Sequence, residues 1–339
     1  MHACRLNRVA ALKILGSEFY HGVPLFELEV MRRIRDVSKT SSHPGRHHIM
    51  EFIDDFEIDS PSGKHVCMVF GCLGPTLQEQ MAKADQKRLS CKVAKQISRQ
   101  LLEAMDFLHN DCGVLHTDLN TSNILIDEPI RVSELESQAG PAAVLNERLR
   151  IRLSDFGLAC WQDKHLTDRI QPLVLRAPEI TVGGPWEASV DVYSVGCLVH
   201  YFVVGEPPFD EARHAPGEDG VEQRRLSLQA AYFGPVPKVV VDNATRADVF
   251  FDEKGQIHAE IQLQPRSFEK AIDIKVQENP VLKNDMVSDE IPTFCDFLHA
   301  SLATDPRRRK RPRDLVNHPW LQHSHHKKPM TAKPVAAVA

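Results

Sequence analysis

The chain has 339 residues, 42% of them apolar and 26% charged, enough to bury one large core or two lobes, which excludes a mainly disordered protein. Its net charge of −5 argues against wholesale nucleic-acid binding. The eight cysteines form no close Cys-x-x-Cys pairs; they suggest a reducing compartment and read as small buried hydrophobes. The most apolar stretch, 190–205, contains Asp191, Ser194 and His200 and is too short to cross a bilayer, and the N-terminus lacks a signal-peptide core. A cytoplasmic or nuclear location, or both, is expected.

Residues 8–15, Arg-Val-Ala-Ala-Leu-Lys-Ile-Leu, read as a buried strand carrying one cation, Lys13, and a Lys in such a strand requires an anion. The helical apolar spacing of 25–37 offers Glu27 and Glu29 as its partner; Glu29, which begins Glu-Val-Met-Arg-Arg-Ile, is preferred. Residues 66–70 form a second buried strand, which runs into Gly71-Cys72-Leu73-Gly74, a turn whose peptide groups are free to pair with a ligand. Between 92 and 110, Val93, Ile97, Leu101, Leu102, Met105 and Leu108 mark a helix with one buried face. It leads into His116-Thr117-Asp118-Leu119-Asn120-Thr121-Ser122-Asn123.

Between Asn123 and Asp155 lie about twenty residues more than a compact strand pair needs, so a surface insertion is expected near 127–150. A strand resumes at 149–154, with Ile151 and Leu153 alternating with polar residues, and delivers Asp155-Phe156-Gly157. Ala177-Pro178-Glu179 opens a helix, and 190–197 is a mostly buried helix whose one carboxylate, Asp191, must be hydrogen-bonded to be tolerated there. The acidic stretch 206–222 reads as a solvated loop able to steer a basic substrate. Residues 305–312, Asp-Pro-Arg-Arg-Arg-Lys-Arg-Pro, look like a basic nuclear-import or nucleic-acid patch, and 322–339 reads as a disordered tail.

An Asp followed five positions later by Asn, then by Asp-Phe-Gly and Ala-Pro-Glu, is the ordered signature of a protein kinase catalytic core. Phosphoryl transfer needs a carboxylate at the attacking hydroxyl and oxygen ligands holding Mg²⁺ against the phosphates of ATP. Asp118 is the expected base, and Asn123 and Asp155 the expected Mg²⁺ ligands. The pattern gives Lys13 the α- and β-phosphates, and Gly71, Cys72 and Leu73 the adenine, with Phe70 beside the base. Asp191 is then expected to brace the catalytic loop, and Arg309 to pair with Glu179. The fold expected is α+β and two-lobed: a small β-rich lobe over 1–71 lacking its first strands, and a large, mainly helical lobe over 72–321 with a further insertion near 210–290.

From about Arg8 to Leu321 the chain resembles the SR-protein-specific Ser/Thr kinases of the fungal type, within the CMGC group. The strings that carry this are His116-Thr117-Asp118, Ala159-Cys160-Trp161, Ile170-Gln171, Gly234-Pro235-Val236-Pro237 and Phe250-Phe251-Asp252-Glu253-Lys254-Gly255. The resemblance implies ATP-dependent phosphorylation of serines in Arg-Ser-rich proteins, with a role in mRNA splicing, by a monomer that contacts neither nucleic acid nor membrane directly.

Three departures from the general kinase pattern bear on activity. Thr117 replaces the Arg that ties down a phosphorylated activation segment, and 155–179 holds one hydroxyl residue, Thr167, so activity without loop phosphorylation is expected. Asn120 stands where Ser/Thr kinases usually place a Lys, and loss of such a cation costs on the order of 10² to 10³ in rate. A Gly-rich loop belongs roughly fifteen residues before the strand Lys, yet twelve residues precede Lys13. A working kinase in N-terminally truncated form and a pseudokinase that binds nucleotide or partners are the two readings left.

Overall fold

The computed structural model describes residues 9–16, 26–128, 145–146, 148–258 and 261–322, with Asp85 described by its backbone. Most of the insertion expected near 127–150, and the tail beyond Gln322, lie outside the described residues.

The small lobe is an antiparallel sheet of β1 (Ala10–Ile14), β2 (Phe52–Ser60) and β3 (Gly63–Gly71), in the order β1-β3-β2, with helix α1 (Phe26–Thr40) beside it. Gly63 closes the β2–β3 hairpin opposite Ser60 at φ +121°, a conformation that favours a residue without Cβ. Helix α1 buries Val30, Met31 and Ile34, the stripe its apolar spacing dictates. The strand expected to be buried around Lys13 is instead an edge. Among the described strands β1 pairs with β3 alone, and Leu12 and Ile14 are 51% and 53% exposed.

The large lobe begins with α2 (Leu77–Lys83) and α3 (Cys91–Asp106), followed by β4 (Val114–Leu115), β5 (Ile124–Ile126), β6 (Ile151–Leu153) and β7 (Cys160–Trp161). β4 pairs with β7 and β5 with β6, all antiparallel. Its main later helices are α4 (Pro178–Val182), α5 (Ser189–Val204), α6 (Gly217–Phe233), α7 (Phe268–Glu278) and α8 (Ile291–Leu302), with short helices between and after them. Thr76 caps α2 in a reciprocal box with Glu79, and Ser90 caps α3, which satisfies first-turn N–H groups that a helix cannot satisfy itself. Helix α5 is the centre: every residue from Val190 to Val203 except Tyr201 is buried, with α3 and α8 packed on it. At Gly196 a Cβ would stand 2.5 Å from Ser301 Oγ, so only glycine lets α5 and α8 approach this closely. The span 210–290 contains α6, α7 and short helical turns.

Candidate active site

After α3 the chain makes one π-helical turn over Phe107–Cys112, reverses at Gly113 (φ +71°), and enters the loop 116–123 through β4. That loop is held from below by α5. Asp191 accepts the backbone N–H groups of Thr117 (2.8 Å) and His116 (2.9 Å), and His109 Nε2 lies 2.8 Å from its carboxylate. Burial pushes the Asp191 carboxyl up, but the His109 bond and charge, with His116, outweigh it and hold the group below its ordinary value. The charge expected to need partners therefore has them. It props a strained residue: Thr117 sits at φ +64°, unusual for a β-branched side chain and worth about 1–3 kcal/mol of strain. Its hydroxyl donates to Leu158 O (2.7 Å) and its carbonyl accepts the Gln171 N–H (3.0 Å), so both contacts tie the loop to the segment after Gly157.

Within the loop, two amides converge on Asp118. Asn123 Nδ2 donates to Asp118 Oδ2 (3.0 Å) and to its carbonyl (2.9 Å), and Asn120 Nδ2 reaches Asp118 Oδ1 (3.3 Å) and the same carbonyl (3.2 Å). Asn120 Oδ1 in turn accepts the N–H groups of Ser122 and Asn123, an Asx turn that a Lys at this position cannot make. With its nitrogen committed to Asp118, Asn123 is left its oxygen to turn toward a cation. The Asn123 carbonyl accepts Ser154 N (2.9 Å) and Ser154 Oγ (3.1 Å), which fixes the start of Asp155-Phe156-Gly157 beside the loop. Asp155 is at φ +59°, and Phe156 is buried with its ring 4.9 Å from that of His116.

Lys13 Nζ lies 3.2 Å from Asp155 Oδ1 and 2.6 Å from Glu27 Oε1. Burial lowers the ammonium's pKa, but the hydrogen bond and charge of Glu27, with those of Asp155, raise it further, so Lys13 is held charged. Glu29 is not the partner; it is exposed to solvent. Glu27 shares its helix face with Met31 and Ile34, both buried, whereas Glu29 shares one with Arg32, Arg33 and Asp36. That spacing is present in the sequence: the string Glu-Val-Met-Arg-Arg-Ile points to Glu29, and the buried helix face points to Glu27.

Phe70 is buried against Phe52, with ring centroids 5.5 Å apart. The connection between the lobes is anchored at both ends, Gly71 N–H on Glu51 O (2.9 Å) and Gly74 N–H on Ile126 O (3.0 Å), with Cys72 and Leu73 half-buried between.

The segment from Gly157 to Glu179 is fixed by side chains. Gln171, at φ +65°, donates to Val190 O and Ser194 Oγ (both 2.8 Å) and accepts Ala177 N–H (3.0 Å). His165 stacks on Trp186 at 3.7 Å, Lys164 Nζ lies 5.0 Å over the Phe26 ring of α1, and Arg176 pairs with the buried Glu222 at 2.5 Å. At its end, Arg309 forks onto both oxygens of Glu179 (2.6 and 2.7 Å), both side chains fully buried. Thr167, the one hydroxyl, is exposed. The Arg309–Glu179 pair is the one anchor expected from the sequence; the others join residues far apart in the chain without a local pattern.

A family model described as the protein kinase domain matches residues 6–321. The chain belongs to the protein kinase family. It is a serine/threonine kinase of the CMGC group. It is 25% identical to the serine/threonine-protein kinase SRPK of Physarum polycephalum, over 93% of this chain and 80% of that one. A serine/threonine protein kinase of Aspergillus fumigatus is 28% identical, over 87% of this chain and 74% of its own. A dual specificity tyrosine-phosphorylation-regulated kinase of Homo sapiens is 26% identical, over 95% and 54%. Kinases of this family use ATP with Mg²⁺, and act on protein substrates. No helix among the described residues of this kinase is long and apolar enough to cross a membrane.

Proposed function

We propose that this kinase transfers the γ-phosphoryl group of ATP to serines of basic, Arg-Ser-rich proteins linked to mRNA splicing, without a phosphate on its own activation segment. The observation that carries the catalytic part is the continuous chain of contacts Glu27–Lys13–Asp155 and Asn123–Asp118, joined through Ser154. In this reading Asp118, aimed by two amides, accepts the proton of the attacking serine hydroxyl. Lys13, kept charged by Glu27, binds the α- and β-phosphates, and the peptide groups of Gly71, Cys72 and Leu73 hold adenine beside Phe70.

The residues present fit Mg²⁺. Asn123 and Asp155 each offer a side-chain oxygen, the hard donor that a Mg²⁺ shared with phosphate oxygens would take. When bound, it neutralises charge on the transferring group. Asn120 contributes orientation of Asp118 and a hydrogen bond, not charge.

Support for a basic substrate comes from the likeness to the Physarum kinase and from a cavity of about 300 Å³ lined by Glu206, Asp210 and Glu211 with Phe209 and Tyr232. The carboxylates there are already paired: Glu206 with Lys275, Asp210 with Arg213, Glu211 with Arg266. A basic docking segment has to displace exposed side chains whose pairs are worth little in water. We further place the boundary between lobes at Gly71, and the protein as a monomer inside the cytoplasm or nucleus without direct nucleic-acid contact.

The test is to incubate purified protein with Mg²⁺, labelled ATP and an Arg-Ser-rich peptide beside an Asp118→Ala control. Transfer that vanishes in the control is expected. Retained nucleotide binding by thermal shift without any transfer overturns catalysis and leaves the pseudokinase reading that Asn120 favours.

A further inference from the structure

Away from the catalytic cleft, a second cleft of about 500 Å³ opens behind α1, between its C-terminal half, the turn 44–48 and the start of β2. Of the charged side chains that line it, Arg35, Lys39, Arg46 and Arg152 are cationic and Glu51 alone is anionic, in a chain whose net charge is −5. Its apolar lining includes Ile34, Met50 and Phe52.

The cations are held in place. The turn 44–48 is locked against α3: a Cβ on Gly45 would stand 1.9 Å from the Glu103 carbonyl, and His43, whose Nδ1 accepts the Gly45 N–H, has Nε2 3.0 Å from Asp106. Arg46 rides on that turn and donates to Ser38 O (2.9 Å). Arg152 is fixed by Asp127 (2.8 Å) and Ile49 O (3.1 Å), and the Arg35 guanidinium lies 5.1 Å over the Phe52 ring. Three carboxylates reach the rim from outside the lining: Asp36 bonds Lys39 (2.8 Å) and lies 3.5 Å from Arg35, Asp55 is 4.0 Å from Arg35, and Asp127 holds Arg152. Arg46 pairs with no carboxylate among the described residues. His47, on the same turn, responds to this field. Burial first, and then the charges of Arg46, Arg152, His48 and Arg150, lower its affinity for a proton.

We infer that this cleft is a docking site for an acidic protein segment, whose carboxylates meet Arg46, Lys39 and Arg152 while one large apolar side chain seats on the half-buried Met50 and Ile53. Charge complementarity sets the sign of the partner. The apolar lining selects a peptide over a nucleic-acid backbone, which would gain nothing from it, and the rigid turn lowers the ordering cost of binding. The inference is independent of which substrate the active site takes.

The probe is a fluorescein-labelled peptide with a central tryptophan between runs of glutamate, titrated by anisotropy into the full chain at low salt. Saturable binding is expected, weakened about tenfold or more by Lys39→Glu with Arg46→Glu, weakened also by Met50→Asp, and absent with the lysine counterpart of the peptide. Hydrogen exchange should slow at 34–39 and 46–53. Lys39, 64% exposed, makes the single Lys39→Glu a safe variant should the double one not fold. Absence of binding, binding indifferent to both charge reversals, or protection elsewhere overturns the proposal. So does a single-stranded oligonucleotide that competes as well as the peptide when tryptophan is irrelevant, which assigns the cleft to polyanions in general.

Discussion

Two glutamates two positions apart separate a structural contact from a solvated charge. Glu27 is 2.6 Å from Lys13, while Glu29 faces water one half-turn away on the same helix. Exchanging Glu27 for Gln keeps a hydrogen-bonding oxygen but removes the charge that holds Lys13 in position, so Glu27→Gln is expected to lower kcat/KM by on the order of tenfold or more. Glu29→Gln is expected to leave it within twofold or so, as exposed substitutions usually do. Steady-state kinetics on the pair decides the matter, and equal losses in both would remove Glu27 from the site. The residue scale also shows what the chain discloses before folding. Lys13, Asp118, Asn123 and Asp155 sit in short strings whose order is diagnostic. Choosing Glu27 over Glu29 required the period of a helix and its buried stripe.

At the scale of elements, the segment from Gly157 to Glu179 is held by hydrogen bonds from its own side chains and from the catalytic loop. Gln171 joins it to α5 and to Ala177, and Thr117, where other kinases carry the phosphate-binding Arg, joins its backbone through Leu158. Thr167→Ala is therefore expected to leave the rate unchanged within about twofold, with no phosphate on the segment by mass spectrometry. Gln171→Ala strands a buried N–H and two acceptors, each loss worth about 1–3 kcal/mol, and is expected to reduce activity and raise proteolysis within 157–179. A phosphorylated Thr167 required for activity would falsify this account. The Thr117 substitution and the single hydroxyl were legible in the sequence, since both are local. The anchors were not: Gln171 meets Val190 and Ser194, and His165 meets Trp186, only after α5 has been placed. The strand bearing Lys13 read as buried from its apolar run, but burial depends on neighbours in the sheet, and β1 has one described neighbour.

Over the whole molecule, buried polar groups in the large lobe set its dependence on mutation and acid. Arg309 and Glu179, fully buried, join the C-terminal part of the chain to the end of the activation segment, and a basic run that resembled a nucleic-acid patch proves to hold a structural ion pair. Arg309→Ala leaves Glu179 without its counter-charge and is expected to cost about 3–5 kcal/mol in chemical denaturation. The acid response follows from His200 on α5. Its Nδ1 lies 2.8 Å from Glu206 O, and it is wholly buried, so burial drives its pKa down to about 4 from 6.5, against the raising effect of the Glu206 carbonyl. The folded state then holds the ring neutral while the unfolded chain takes up a proton below pH 6.5. Stability is complete above 6.5 and falls as pH drops toward 4, where the folded form begins to bind the proton as well. The shift corresponds to about 3 kcal/mol in total. His318 is also depressed, by burial first, and contributes in the same direction, so the His200 share is read as a difference. Urea unfolding from pH 7.5 to 4 should show His200→Gln with a shallower loss of stability than the parent, converging on it or passing it near pH 4. Parallel curves for the two would mean that His200 takes up its proton at the same pH in the folded and the unfolded chain, and that the acid sensitivity of the large lobe lies elsewhere.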